Sequence, residues 1–265
     1  MTLGDGWRRR PGAPPLVFGH RGVRGPLPEN TLAAFARARD EGADAIELDV
    51  RLARDGVIVV AHDPDLARVT RGRDRRAIAE MSSGELSRVD VGDGQGVPTL
   101  AETLALAAAR GLRVNVELKR DVPSRRALVR AVVDLVRDVR DGERSVMLST
   151  FDPAMMLELR ARARGLLVAL IVHAGQRRYR PFLVARALGV GALHPERLLV
   201  ASGETLARAR ARGLVVNVWT VNDEREASDL AALGVDGLIT DRPALVGAAV
   251  RGLRHVLAVV FWAAR

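Results

Sequence analysis

The sequence predicts a closed (β/α)8 TIM barrel with a small insertion after the second strand, and three observations lead there. One punctuation mark recurs: an Arg- or Ala-rich helical run, a glycine, then a short apolar run rich in Val and Leu. Gly42, Gly111, Gly165, Gly189, Gly213 and Gly234 occupy that position, where a helix end turns through positive φ before a strand begins. The last four are 24, 24 and 21 residues apart, about one strand plus one helix per unit, as in repeated βα modules. Finally, the 265 residues are 48% hydrophobic but only 3% aromatic, so a large core has to be built from Ala, Leu and Val, as in helices packed on a buried parallel sheet.

The elements follow in order. Residues 1–15 form an N-terminal extension with charges but no apolar stretch, which does not read as a secretory signal. Leu16–His20 is the first strand and Thr31–Glu41 the first helix. Ala45–Val50 is the second strand, and Val57–Ala61 is an extra short strand joined to it through Arg54-Asp55-Gly56, whose Asp-Gly is a hairpin signal. Residues 66–98 form the insertion, with little apolar periodicity apart from a short helix near Ser83–Val89. In a barrel it rises from the C-terminal face, where active sites sit. The later strands are Leu112–Lys119, Ser145–Thr150, Leu167–Val172, Gly191–His194, Leu214–Val221 and Gly237–Thr240, with helices over Thr99–Arg110, Ser124–Arg140, Pro153–Arg164 and Gly203–Arg212. Eight such strands match a closed barrel over residues 16–250 better than an open doubly wound sheet. Residues 251–265 are an apolar C-terminal helix whose run His255–Ala264 is too short to span a bilayer and is expected to pack.

Composition also bounds function. With no cysteine, disulfides, thiolate nucleophiles and cysteine-ligated metals are excluded. A cytoplasmic setting is the default expectation. The net charge is +9, with a single lysine, Lys119, among 41 cationic residues. So basic a chain invites a nucleic-acid partner, but its arginines are interleaved with Asp and Glu, as in AFARARDEGAD and LVRDVRDGER. No nucleic acid is therefore expected, and at most peripheral contact with a membrane.

Strands place alternate side chains on opposite faces. In Ala45–Val50, Glu47 and Asp49 share the face opposite Ile46, Leu48 and Val50; in Leu112–Lys119, Arg113, Asn115, Glu117 and Lys119 share the polar face. With the apolar faces against the helices, Glu47, Asp49 and Glu117 converge in the barrel mouth, where an uncompensated carboxylate cluster is costly. A hard divalent cation, Mg²⁺ or Ca²⁺, resolves the repulsion; so does ion pairing with Arg51, Arg113 or Lys119, and both readings stand. Of five histidines, His20 and His62 end strands beside these carboxylates, whereas His173, His194 and His255 read as structural. An imidazole pair flanking a metal site is suited to acid and base work.

His20-Arg21-Gly22, Pro28-Glu29-Asn30-Thr31, Glu47-x-Asp49, Asp55-Gly56 and His62-Asp63 resemble the N-terminal signature of glycerophosphodiester phosphodiesterases. Val116-Glu117-Leu118-Lys119, Ser149-x-Phe151, Trp219-Thr220-Val221-Asn222 and Gly237-x-Ile239-Thr240-Asp241-x-Pro243 continue it in order, so the resemblance covers most of the chain.

The resemblance implies a metal-dependent hydrolase on a TIM barrel that splits a glycerophosphodiester into sn-glycerol 3-phosphate and an alcohol, in phospholipid breakdown and glycerol phosphate recovery. It implies Glu47, Asp49 and Glu117 as ligands of one divalent cation, His20 and His62 as general acid and base in unassigned order, and Arg21 and Lys119 on the phosphate. Trp219 otherwise reads as core packing; the resemblance turns it, with Phe151, towards the substrate pocket. Glu29 and Asn30 are expected to order their loop. The insertion would correspond to the family's inserted subdomain covering the site. Two other readings are a phospholipase D-like phosphodiesterase acting on lysophospholipids or phospholipids at a membrane surface, and a non-catalytic barrel binding phosphorylated ligands or nucleic acid.

Overall fold

Eight parallel strands close on themselves in the computed structural model of the chain, which describes residues 4, 6–25, 27–139, 141–175, 185, 187–200 and 203–262. In chain order the strands are β1 (Leu16–His20), β2 (Ala45–Leu52), β3 (Ile58–Val60), β4 (Arg113–Leu118), β5 (Val146–Thr150), β6 (Leu167–Val172), β7 (Ala192–Pro195), β8 (Val215–Val218) and β9 (Gly237–Thr240). Strand β1 pairs with both β2 and β9, which seals the ring, while β3 pairs antiparallel with β2 outside it, setting Val50 opposite Val60. The expected barrel and its extra hairpin strand are both there. Strand β8 ends three residues earlier than expected: beyond Val218 the pairing continues as an isolated parallel bridge between Trp219 and Glu196, with the Trp219 carbonyl accepting from the Arg197 backbone N–H.

The helices lie outside the ring. Residues placed at helix starts are the caps that precede them: Thr31, Thr99 and Ser124 accept from first-turn N–H groups of helices Leu32–Asp40, Leu100–Arg110 and Arg125–Asp138. Gly111 and Gly234 end their helices in the left-handed region, at φ 64° and 89°. Gly22 combines such a φ, 95°, with close approach: a Cβ there would lie 2.7 Å from Ala34 Cβ. That contact sets the first helix against the turn carrying Arg21.

The barrel interior changes character along its axis. Its floor is apolar, with Phe18, Ala45, Met147, Leu167, Ala169, Ala192, Val215 and Ile239 packed round Trp7 of the N-terminal segment. The Trp7 ring stacks on Phe18 with centroids 5.9 Å apart, and the Arg113 guanidinium sits 5.8 Å from the Trp7 ring centroid. Residues before β1 thus close the N-terminal end of the ring. Above the floor the buried inner residues are polar apart from Ile171: Glu47, Asp49, Asn115, Glu117, Ser149, His194 and Asn217.

The inserted segment has more internal order than its sequence pattern promised. Leu66, Ile78, Met81, Leu86, Val91 and Val97 bury one another with Ala53 and Val59 in a small separate core. These apolar positions are dispersed between turns, so they leave no helical or strand period. The short helix is Ser83–Leu86, held by a Ser82–Glu85 capping box.

The C-terminal helix spans Pro243–Trp262, and Arg251 ties it to the barrel through the Gly42 carbonyl at 2.8 Å and Asp44 at 3.0 Å. The side chains of the expected apolar run His255–Ala264 lie outside the described residues. Among the described residues, no helix is long and apolar enough to cross a membrane.

Candidate active site

Strand register brings the acidic residues together. Asp49 on β2 is level with Glu117 on β4, and His20 on β1 is level with Glu47. All three carboxylates are buried, and one oxygen from each lies within 4.8 Å of the others. Both options left open for this cluster bear on it. Lys119 Nζ reaches Glu117 at 2.9 Å and Asp49 at 3.3 Å, so ion pairing is present. Arg51 instead donates to the His62 carbonyl and Asp121, and Arg113 points to the floor. A cation absent from the expected pairing set, Arg21, lies with Nε 3.2 Å from Asp49, and its backbone N–H donates to Glu47 at 3.1 Å.

These contacts divide the carboxylates. Burial raises the Glu47 pKa to about 8, with the Asp49 charge adding to it, and burial then Asp49 raise Glu117 as well. Burial works the same way on Asp49, but Lys119 and Arg21 outweigh it and hold its carboxyl below the ordinary range. The donor set therefore fits a hard divalent cation: it is all oxygen, convergent and buried, and carries charge that the neighbouring side chains stabilise unevenly.

The two expected imidazoles are both held at Nδ1 by an aspartate. His20 Nδ1 donates to Asp241 at 2.7 Å, leaving Nε2 3.9 Å from Glu47. His62 Nδ1 donates to Asp63 at 2.7 Å. Their charge environments differ. For His20, burial disfavours the cation but the Asp241 hydrogen bond and Glu47 prevail, raising its pKa; for His62, burial prevails, helped by Lys119 and Arg21, and lowers it.

His20, Arg21, Glu47, His62, Glu117, Lys119, Phe151 and Trp219 line one cavity of about 120 Å³ with Asn115 and His194 in its wall. It adjoins an open cleft of about 400 Å³ that shares His62, Glu117, Lys119 and Phe151 and continues past Arg51, Arg120 and His173. Asp49 lies behind the cavity wall, 1% exposed. Phe151 meets Trp219 edge to face at 5.6 Å, and Trp219 Nε1 donates to the His194 carbonyl. Every expected site residue thus gathers at the C-terminal mouth of the barrel. His194, read as structural, accepts from Asn217 Nδ2 at 3.0 Å within the cavity wall.

Four supporting residues escaped the sequence reading. Asp63 and Asp241 orient the imidazoles, Asn222 donates to Asp241 at 2.8 Å, and Arg68 pairs with Asp63. Three of them stand inside the quoted motifs, next to noted residues, so a signal existed. Their partners lie up to 221 residues away, and spacing along a chain does not reveal a pair across a ring. Glu29 and Asn30, expected only to order their loop, also touch the site, through Arg21 at 2.9 Å and Asp49 at 3.0 Å.

Comparison with known proteins agrees with this geometry. Residues 20–245 match the model of the glycerophosphoryl diester phosphodiesterase family. A glycerophosphodiester phosphodiesterase of Caldanaerobacter subterraneus subsp. tengcongensis is 31% identical over 86% of this chain and 94% of its own length. Among solved structures, an Oleispira antarctica phosphodiesterase in complex with the product sn-glycerol-3-phosphate superposes with a TM-score of 0.78 at 27% identity, covering 90% of this chain and 97% of that one. A glycerophosphodiester phosphodiesterase of Thermotoga maritima does so at 0.73 and 29% identity, covering 87% and 96%. The chain is a phosphodiesterase on a TIM barrel, and it belongs to the glycerophosphoryl diester phosphodiesterase family.

Proposed function

We propose that the chain hydrolyses glycerophosphodiesters to sn-glycerol 3-phosphate and an alcohol with the help of one divalent cation, in phospholipid and glycerol metabolism in the cytoplasm. The observation that carries this reading is that two aspartate-held imidazoles, two cationic side chains and the carboxylates of Glu47 and Glu117 line one cavity, with Asp49 converging on those carboxylates from behind its wall. Glu47, Asp49 and Glu117 would hold Mg²⁺ or Ca²⁺, which when bound would neutralise the carboxylates and stabilise negative charge on the phosphoryl oxygens.

The remaining work falls to the chain's own groups. Arg21 and Lys119 sit where a phosphate entering the cavity meets fixed positive charge, and they stabilise the charge that accumulates on its equatorial oxygens. One imidazole takes the proton of the attacking oxygen as its bond to phosphorus forms. The other gives a proton to the departing alkoxide as its bond to phosphorus breaks. The attacking oxygen is that of water, or of the substrate's own glycerol hydroxyl with a later hydrolysis. Asp63 and Asp241 fix which ring nitrogen faces the reaction in each histidine. Phe151 and Trp219 offer an apolar wall to the glycerol carbons or the leaving alcohol.

The test is release of glycerol 3-phosphate from glycerophosphocholine and glycerophosphoethanolamine, with chelator and with Mg²⁺ or Ca²⁺ added back. Turnover is expected to vanish on chelation and return with the ion, and the ion is expected to raise the melting temperature of the wild type but not of Asp49→Asn. Release indifferent to chelation would remove the cation. A protein that hydrolyses neither diester but cleaves lysophospholipid vesicles would move the substrate to the membrane surface.

A further inference from the structure

One guanidinium outside the cavity holds the partners of two residues that line it, His62 and Arg21. Arg68 belongs to the inserted segment, two residues after Leu66, which is buried in that segment's own core. Its Nε donates to Asp63 at 2.5 Å, while its two terminal nitrogens take both oxygens of Glu29, at 2.7 and 3.0 Å. Asp63 in turn holds His62 Nδ1, and Glu29 holds the Arg21 guanidinium at 2.9 Å. The result is an unbroken chain of hydrogen bonds, His62–Asp63–Arg68–Glu29–Arg21, whose middle member is supplied by the insertion.

The geometry needs arginine. A planar fork can serve one carboxylate with two nitrogens while its Nε serves another; an ammonium presents a single point of charge. The local chain is fixed beforehand, because Thr70 donates to the Leu66 carbonyl through both its backbone N–H and its hydroxyl. All three partners keep their charges: burial disfavours ionised Glu29 and Asp63, yet the Arg68 and Arg21 contacts at one and the His62 and Arg68 contacts at the other lower both, and Arg68 itself is raised.

We propose that Arg68 is a positioning residue of the phosphodiesterase reaction, holding the His62 imidazole through Asp63 and the Arg21 guanidinium through Glu29. This rests on the roles of His62 and Arg21 proposed above. The insertion, on this view, sets the geometry of two site residues from outside the cavity, beyond the covering role its position suggests.

A purely structural staple is the competing explanation, and the molecule contains one for comparison. Arg54 also grips the insertion, through the Glu80 carbonyl at 2.8 Å and Glu85 at 2.9 Å, and contacts neither Asp63 nor Glu29. The experiment is steady-state kinetics on glycerophosphocholine at saturating cation, with melting curves, for Arg68→Met, Arg68→Lys, Asp63→Asn, Glu29→Gln, Arg54→Met, His62→Ala and the double variant Arg68→Met/Asp63→Asn.

Asp63→Asn is expected to lower kcat by about 10- to 100-fold, the range seen when the partner orienting a functional imidazole is lost, with little change in KM. Glu29→Gln is expected to act mainly on KM. Arg68→Met should do both, and Arg68→Lys should recover part of the loss. Adding Asp63→Asn to Arg68→Met should lower kcat by less than about threefold more, because both act through one ring. Arg54→Met should leave both constants near wild type. Wild-type constants in Arg68→Met beside an inactive His62→Ala would overturn this proposal alone, as would equal losses in Arg68→Met and Arg54→Met that track melting temperature. If Arg68→Met does not fold, the double variant Arg68→Lys/Asp63→Asn takes its place, and additive losses in it would overturn the proposal equally. An active His62→Ala would instead overturn the site reading, and this proposal with it.

Discussion

His20 and Asp241 meet at 2.7 Å across the seam where β1 and β9 close the ring. Asp241 is fixed from its other side by Asn222 and Arg24, so the carboxylate is oriented before it orients the imidazole. Asp241→Asn replaces an acceptor of three hydrogen bonds by an amide that must turn its NH₂ either towards His20 or towards Asn222 and Arg24. The expected outcome is a fall in kcat of about 10- to 100-fold with a melting temperature near wild type, read from kinetics and calorimetry. Unchanged kcat would remove Asp241 from the site's support.

Lys119 is the chain's one lysine and bridges Glu117 and Asp49 with a single nitrogen. A guanidinium is broader, and cannot place one compact charge between two buried carboxylates. Lys119→Arg is therefore expected to lower kcat/KM by at least about tenfold while urea denaturation shows a much smaller effect on folding. A variant with wild-type kcat/KM would show that only the charge matters there.

His194 is 1% exposed, and burial lowers its pKa to about 3. The folded value lies below the unfolded one, near 6.5, so the unfolded chain binds more protons between them. The stability contributed by neutral His194 is complete above pH 6.5 and is lost as pH falls towards 3. Unfolding free energies measured in urea at pH 7.5 and 5.0 should fall in the wild type with a contribution from this residue approaching about 1.4 kcal/mol per pH unit. In His194→Gln the fall should be shallower by that amount; parallel profiles would sink the assignment.

Trp7 fills the floor of the barrel against Phe18 and Ala45. Truncation leaves a void ringed by strands that cannot collapse into it. Trp7→Ala is expected to cost about 3–5 kcal/mol, measured as a lowered urea midpoint at unchanged slope. A cost below 1 kcal/mol would mean that the segment before β1 only rests on the ring.

Much of this was legible in the sequence because it is written in short-range chemistry. Glycines at helix ends, helical runs placed from Thr31, Thr99 and Ser124, each of which the structure shows as the cap one residue before its helix, and strict alternation in Ala45–Val50 and Leu112–Lys119 are local rules, and they determined the barrel, its eight strands and the inward face of Glu47, Asp49 and Glu117. What only the tertiary structure decided is which charges meet. Arg21 on Asp49, Asp241 on His20 and Arg68 between Asp63 and Glu29 join residues far apart in sequence or on opposite sides of a loop, and closure of the ring sets their distances. The same holds for the insertion's core and for Trp7, whose apolar side chains have no period and are buried only because a closed barrel has a floor to fill and an edge hairpin to cover. Local propensity decides what an element is; closure and desolvation decide which side chains must face one another and bear each other's charge.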